Sequence, residues 1–328
     1  MKKNIAIIAG GYSGEHDISM NSAGMIIKNI DKEIYTPYLI HITKEKWVYV
    51  DNDKNEIPVD KNDFSVTINQ KKVTFDCVFN IIHGTPGEDG KILGYFEMLG
   101  IPFTSSNHYV SGMTLNKGFC NKIVSGLGVG VPRSYHLFKR EKNNLKKIIE
   151  DLALPVFVKP CNGGSSVGTT KVSTAREFEN AVNLAFTHDD EVLVEEYING
   201  TELTCGVFRY KKEMIVFPIT EIVSKNEFFD YIAKYEPGKS EEITPARIHP
   251  DTEKQCASTS SFLYNKLNCS GVVRIDYIVT RSKMYFLEIN TVPGMSEMSI
   301  VPQQAKIFGY QLPQFIGMLI ENAIYNKK

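Results

Sequence analysis

Apolar residues run unbroken from Ile5 to Ala9, stop at a glycine pair, and then recur at helical spacing through Ile18, Ala23, Met25, Ile26, Ile27 and Ile30. A continuous apolar run suits a strand and the helical recurrence suits one buried stripe, so residues 4–30 read as a βα unit. Runs at 38–42, 47–50 and 75–82 read as further strands, the last ending at His83 and Gly84, with a polar excursion at 51–70. This rhythm predicts an open parallel sheet, whose ligands gather beyond the carboxyl ends of its strands. Residues 10–15 and 83–90 both fall at such ends.

From Lys117 the texture changes. The pattern predicts helices at 117–124 and 144–152, strands at 155–159 and 169–172 around a loop at 160–168, and a helix at about 174–186. Strands follow at 192–197, 202–208 and 215–222, then a helix over 258–267, a hairpin and a final helix. Between them lies a polar and aromatic stretch, 224–247, long enough to read as a functional lid or a disordered segment. No internal repeat or low-complexity tract interrupts the chain.

The 328 residues leave room for two or three domains. Lys and Arg number 37 against 38 Asp and Glu, so the chain lacks the broad positive field of a nucleic-acid or anionic-membrane binder. The first apolar run is too short for a signal-peptide core and no stretch nears the ~20 apolar residues that span a bilayer, which predicts a soluble, cytoplasmic protein. Cys77, Cys120, Cys161, Cys205, Cys256 and Cys269 are scattered, with no CxxC pair and no Cys/His cluster at zinc spacing. They read as free thiols in a reducing compartment.

The most informative segment is VVRIDYIVT, a short RSK turn, and MYFLEIN. With Ser282 at the centre of a three-residue loop, Thr280 pairs with Met284, Asp276 with Glu288 and Arg274 with Asn290. One face then carries Arg274, Asp276, Glu288 and Asn290, the other Val273, Ile275, Tyr277, Leu287 and Ile289. Opposed carboxylates about 5 Å apart repel unless a cation lies between them, and two carboxylates with an amide suit Mg²⁺. A solvated polar face gives the same alternation.

The loop PCNGGSSVGTTK offers backbone N–H groups and Ser165 and Ser166 to phosphate oxygens, and Lys159 closes an apolar strand where burial calls for an anion. A flexible hairpin loop is the alternative. Thr169 stands where a Walker A loop needs Lys. Gly10, Gly11 and Gly14 do not make GxGxxG, which counts against a nicotinamide dehydrogenase. Glu15 and His16 suit either a ligand contact or a helix cap. In HGTPGEDG, Glu88 and Asp89 read first as parts of a turn, with catalytic acids the alternative, and His83 has no zinc partner at a suitable spacing.

Seven segments, GGYSGEHDIS, HGTPGEDG, GIPFTSS, VFVKPCNGGSSVG, EEYINGTELT, RIDY and FLEINTVPGMSEMSIVP, occur in the order and at roughly the spacing of the D-alanine–D-alanine ligase family of ATP-grasp enzymes. The chain resembles that family over nearly its whole length, 51–70 excepted. The resemblance implies an α/β fold of three domains: an amino-terminal substrate domain at 1–116 with an open parallel sheet, and two α+β domains at 117–204 and 205–328 enclosing the nucleotide. It implies ATP-dependent, ADP-forming ligation of two D-alanines through an acyl phosphate, for peptidoglycan synthesis.

The resemblance also assigns roles. It makes Asp276, Glu288 and Asn290 ligands of Mg²⁺ or Mn²⁺, with two ions when nucleotide is bound, and Lys117 and Lys159 the lysines on the ATP phosphates. Ser165 and Ser166 match the loop closing over them, Glu195 the adenine partner, Glu196, Tyr197 and Ile198 the hinge beside the base, and Glu202 the ribose ligand. Glu15 matches the carboxylate for the first D-alanine's ammonium, Arg274 and the Gly294 N–H the oxyanion stabilisers, and Ser299 the contact to the second carboxylate. His83 and Ile300 join the substrate site. The lid places Lys234 on the γ-phosphate and Tyr235 beside Glu15 and Ser165, where Tyr favours the dipeptide over D-alanyl-D-lactate. A homodimer is implied too. Leu93, Ser105 with Ser106, Asn116 and Ile300 depart from the commoner family residues. Another carboxylate-amine ligase of the same fold, or a non-catalytic nucleotide binder, are the rival readings.

Overall fold

The computed structural model describes residues 2–164, 166–224 and 240–326. In the first third, β1 (Lys3–Gly10) leads into α1 (His16–Asn29), β2 (Tyr35–Ile42), β3 (Trp47–Val50), β4 (Glu56–Asp60), β5 (Ser65–Ile68), β6 (Lys71–Val73) and β7 (Cys77–Asn80). They form one sheet in the order β6-β5-β4-β3-β2-β1-β7. The sheet is parallel only where β1 lies between β2 and β7; from β2 to β6 each strand pairs antiparallel with the next. The polar stretch expected at 51–70 thus holds two strands, too short and too polar to show alternation. Helices α2 (Lys91–Leu99) and α3 (His108–Leu115) complete this third.

β1 explains its own apolar run. Ile5, Ile7 and Ala9 enter one core and Ala6 and Ile8 another, so neither face sees water.

α4 (Lys117–Gly126) opens the second third, with β8 (Ser134–Phe138), α5 (Leu145–Leu152), β9 (Val156–Pro160), β10 (Thr170–Val172), α6 (Ala175–His188) and β11 (Glu191–Glu196). The strands make an antiparallel sheet ordered β10-β9-β11-β8. Val156 and Val158 of β9 and Val192 and Val194 of β11 pack under α5 and α6. Phe157, Lys159 and Glu195 therefore point the other way.

The last third contains β12 (Thr201–Tyr210), β13 (Glu213–Val216), β14 (Thr220–Ser224), β15 (Ser240–Ile243), α7 (Pro250–Lys266), β16 (Val272–Val279), β17 (Met284–Asn290), α8 (Ile300–Phe308) and α9 (Leu312–Asn326). Its sheet runs β15-β14-β12-β16-β17, with β13 also on β12. The boundary expected after residue 204 lies inside β12. The single strand expected at 215–222 is two strands, because Pro218 has no N–H for the ladder, although both halves pair with β12. α9 returns to the first third: Phe315, Ile316 and Leu319 share a core with Ile5, Ile7 and Ile26. No described helix is long and apolar enough to cross a membrane.

Candidate active site

The second and third sheets face each other across a cavity of about 440 Å³. Leu203, Cys205, Ile275, Tyr277 and Ile289 fill the core behind the third sheet, so the alternate positions Glu202, Thr204, Arg274, Asp276 and Glu288 line the cavity. Opposite them stand Phe157, Lys159 and Glu195, with Glu196, Tyr197 and Ile198 at one end.

β16 and β17 pair Arg274 with Asn290 and Asp276 with Glu288, as the alternation predicts. The register then slips: Tyr277 faces Phe286 and Val279, not Thr280, faces Met284. The extra residue is Leu287. A bulge turns it away from the core where alternation put it, and it lines the cavity beside Glu288, with Phe286 in the core instead. The slip supplies one more apolar wall.

Cations already balance these acids. Arg274 Nη2 lies 2.8 Å and Nε 3.0 Å from the Asp276 carboxylate, whose Oδ1 also accepts from Thr204. Lys117 Nζ lies 3.5 Å from Glu288 Oε2 and donates to Gly163 O at 2.6 Å. Burial pulls the proton affinity of Lys117 down, but Glu288 and Glu88 outweigh it and the net shift is upward. Arg274 is likewise held protonated by Asp276 against burial. Asn290 Oδ1 accepts from Val292 N at 2.8 Å.

At the far end, Lys159 pairs with Glu195 Oε1, while Glu195 Oε2 is buried with no hydrogen-bond partner among the described residues. A buried, unpartnered carboxylate oxygen is costly and marks where a donor is missing. Glu196 is braced by Arg133, which donates to it from N at 2.9 Å and Nε at 2.8 Å.

A second chamber, about 310 Å³, adjoins the first and shares Lys117, Gly163, Gly164, Arg274, Glu288 and Ile300 with it. Glu15, His83 and Glu88 enter from the first third, Glu242 from β15, and Asn290, Gly294 and Ser299 from the last. Glu15 occupies the N-cap position of α1 without making a side-chain cap bond, and it faces the chamber. Gly164 is pressed against it: a Cβ there would come 2.6 Å from Glu15 Oε2. Ser299 precedes α8, and its Oγ accepts from Ser296 N at 3.1 Å. A helix N-terminus favours an anion there.

Glu88 belongs both to the turn and to the chamber wall. It does close the turn, accepting from Gly84 N at 3.0 Å, yet its carboxyl is buried in the chamber wall. Burial and then the charge of Glu15 push its pKa up to about 7. His83 is buried with Nε2 unpartnered among the described residues, and burial lowers its pKa. Thr204, Leu287 and Glu242 were missed in the sequence; the first two needed the strand pairing, the third the position of β15. Ser165, Lys234 and Tyr235 lie outside the described residues.

The family model described as D-ala D-ala ligase N-terminus matches residues 4–106, and D-ala D-ala ligase C-terminus matches residues 124–321. A "D-alanine--D-alanine ligase" of Flavobacterium johnsoniae is 47% identical over 319 residues, 97% of this chain and 98% of the relative. The solved VanG D-Ala:D-Ser ligase from Enterococcus faecalis superposes with a TM-score of 0.89 at 34% identity, covering 98% of this chain and 100% of that one. A D-alanine--D-alanine ligase from Bacillus anthracis complexed with ATP gives a TM-score of 0.80 at 29% identity, covering 99% and 98%. With both matched segments spanning most of its length, the chain belongs to the D-alanine–D-alanine ligase family.

Proposed function

We propose that the chain joins two D-alanines into D-alanyl-D-alanine, with ATP converted to ADP and phosphate, for peptidoglycan synthesis. The observation that carries this is the meeting of the two chambers at Lys117, Arg274 and Glu288, where a γ-phosphoryl group and a carboxylate can approach between cations. The β–γ bond of ATP breaks as the γ-phosphoryl moves to a carboxylate oxygen of the first D-alanine. The amine of the second then attacks the carbonyl carbon, the bond to the phosphate oxygen breaks, and phosphate departs with the electron pair, taking up the proton that the nitrogen releases.

Glu195 Oε2 accepts from the adenine amino group, with Phe157, Ile278 and Leu287 against the base and Glu196, Tyr197 and Ile198 as the hinge beside it. Glu202 takes the ribose. Lys117, Lys159, Ser165 and Ser166 hold phosphates. Glu15 receives the first ammonium, Arg274 and the Gly294 N–H the developing oxyanion, and Ser299 the second carboxylate at the start of α8. His83 and Ile300 line the substrates, and Lys234 and Tyr235 act from the lid.

The hard oxygen donors Asp276, Glu288 and Asn290, brought to one place by β16 and β17, fit Mg²⁺ or Mn²⁺. Such an ion would neutralise the triphosphate. A homodimer in the cytoplasm belongs to the same proposal.

The test is ADP release and product mass with ATP, Mg²⁺ and D-alanine, run beside D-serine, D-lactate and L-alanine. D-Alanyl-D-alanine with D-alanine alone is expected. No ADP with D-alanine rejects the reading; preference for D-serine or D-lactate moves it to another second substrate.

A further inference from the structure

The first turn of α1 and the strand β2 bring together, next to Glu15, a pair of side chains that the chemistry above does not use. His16 Nε2 lies 2.9 Å from His41 Nε2, and the rings meet edge to face with centroids 5.1 Å apart. His16 Nδ1 lies 2.9 Å from Asp17 Oδ1. His41 belongs to β2, and its ring fills the space beside Gly10, where a Cβ would come 2.8 Å from His41 Cδ2. Gly10 has φ of +99°, so the turn leaving β1 needs glycine twice over.

The imidazole bridge ties the start of α1 to β2 across the turn that carries Glu15. Ser19 ties the next turn down in the same way, accepting from Gly10 N at 3.0 Å and donating to Ile81 O at 2.7 Å. Ser13 braces the approach, donating to His83 O at 2.8 Å. Of these contacts only the bridge is titratable.

Two imidazole nitrogens at this distance share one proton. With His16 Nδ1–H directed to Asp17, a neutral His16 accepts from His41, and a charged His16 donates to it. One more proton sets two N–H groups head to head. Asp17 on α1, Lys46 beyond β2 and Glu56 on β4 are the charged groups that face the pair.

We propose that the His16–His41 bridge is a positioning device for Glu15 and so sets the affinity for the first D-alanine's ammonium group. This rests on the role given to Glu15 above. Burial first, then His16 and Lys46, lower the proton affinity of His41 below the ordinary imidazole value, against an upward pull from Glu56. The folded arrangement therefore takes up a proton less readily than a free imidazole does. The bridge is fully present above the ordinary imidazole value and is lost only as the pH falls through the lower value at which the folded His41 also takes a proton.

The experiment is steady-state kinetics of the full chain between about pH 5.5 and 8.5, with D-alanine varied at saturating ATP, for wild type, His41→Ala, His41→Gln and Glu15→Gln. His41→Ala raises the KM for the first D-alanine roughly tenfold at pH 8, the size of one lost hydrogen bond, with saturated turnover and the KM for ATP within about twofold. His41→Gln, whose amide still donates to His16, keeps the wild-type KM at pH 8 and lacks the His41-dependent rise below about pH 6.5. Glu88 titrates in the same range but is present in both, so the ratio of the two profiles isolates His41.

Parallel pH profiles for wild type and His41→Gln overturn the proposal. So does an unchanged KM in His41→Ala while Glu15→Gln raises it. A Glu15→Gln enzyme with wild-type KM removes the reading of Glu15 itself, and that failure is distinct from failure of the bridge alone.

Discussion

The cavity between the second and third sheets and the chamber beside it share one wall at Lys117, Arg274 and Glu288, yet they are built from different material. The cavity is walled by two antiparallel sheets, and its polar residues are the outward half of a period of two: Lys159 between Val158 and Pro160, Asp276 between Ile275 and Tyr277. The chamber is walled by strand ends and loops from all three parts of the chain: Glu15 after β1, Glu88 after β7, Glu242 on an edge strand, Ser299 before α8. Sheets fix many side chains at once through pairing. Loops fix them one at a time, through contacts such as Gly164 against Glu15. Damage to the cavity should therefore spread to folding, while damage to the chamber should stay with the amino acid.

The largest effect tests the shared wall. Glu288→Gln keeps the shape and removes the charge, and should lower turnover by about 10²–10³ while the KM for ATP changes far less. A raised KM for ATP with turnover unchanged would place Glu288 in ground-state binding only. Lys159→Met next sharpens the difference in material, because it strands Glu195 in the cavity. A loss of about 3 kcal/mol in urea unfolding is expected, together with loss of nucleotide binding. A stable, nucleotide-binding variant would show that the pair is not needed.

Gly164→Ala should do the reverse. The added methyl group meets only the end of the Glu15 side chain, so stability is nearly unchanged while the KM for D-alanine rises roughly tenfold. A larger change in the KM for ATP would blur the distinction between the two regions.

Glu88→Gln gives the smallest effect. Its folded pKa of about 7 lies above the usual carboxyl value, so the folded chain holds the proton more tightly than the unfolded chain, and stability falls as pH rises from about 4.5 to 7. The variant should be more stable than wild type at pH 8, a gain that vanishes near pH 4 in parallel melts. A constant difference would deny the burial of a titrating carboxyl.

The same contrast explains what could be read from the chain beforehand. Alternation exposes the face of β16 and β17 because neighbouring residues share one geometric rule, and it failed only at Leu287, where an extra residue breaks the period. Glu88 reads first as a turn residue because it serves both a turn and a carboxyl site, and Pro and Gly around it signal only the turn. Glu242 carries no pattern: it enters the chamber because β15 joins the edge at β14, a long-range pairing no local rule shows. His136, Cys161 and Glu191 converge within 4.8 Å from three separate strands or strand ends, although their spacing in the chain suggests nothing. A 2.7 Å contact from His136 to Glu191, with Lys122 Nζ 3.3 Å from the other ring nitrogen, accounts for that cluster without an ion.

The central claim is that the acidic end of the β16–β17 ribbon faces the triphosphate through a divalent ion. A crystal structure of the full chain with Mg²⁺ and a non-hydrolysable ATP analogue tests it most directly. The account predicts oxygens of Asp276, Glu288 and Asn290 at roughly 2.1 Å from Mg²⁺, with phosphate oxygens completing the shell. A triphosphate bound elsewhere, or an ion held without these three side chains, would contradict it.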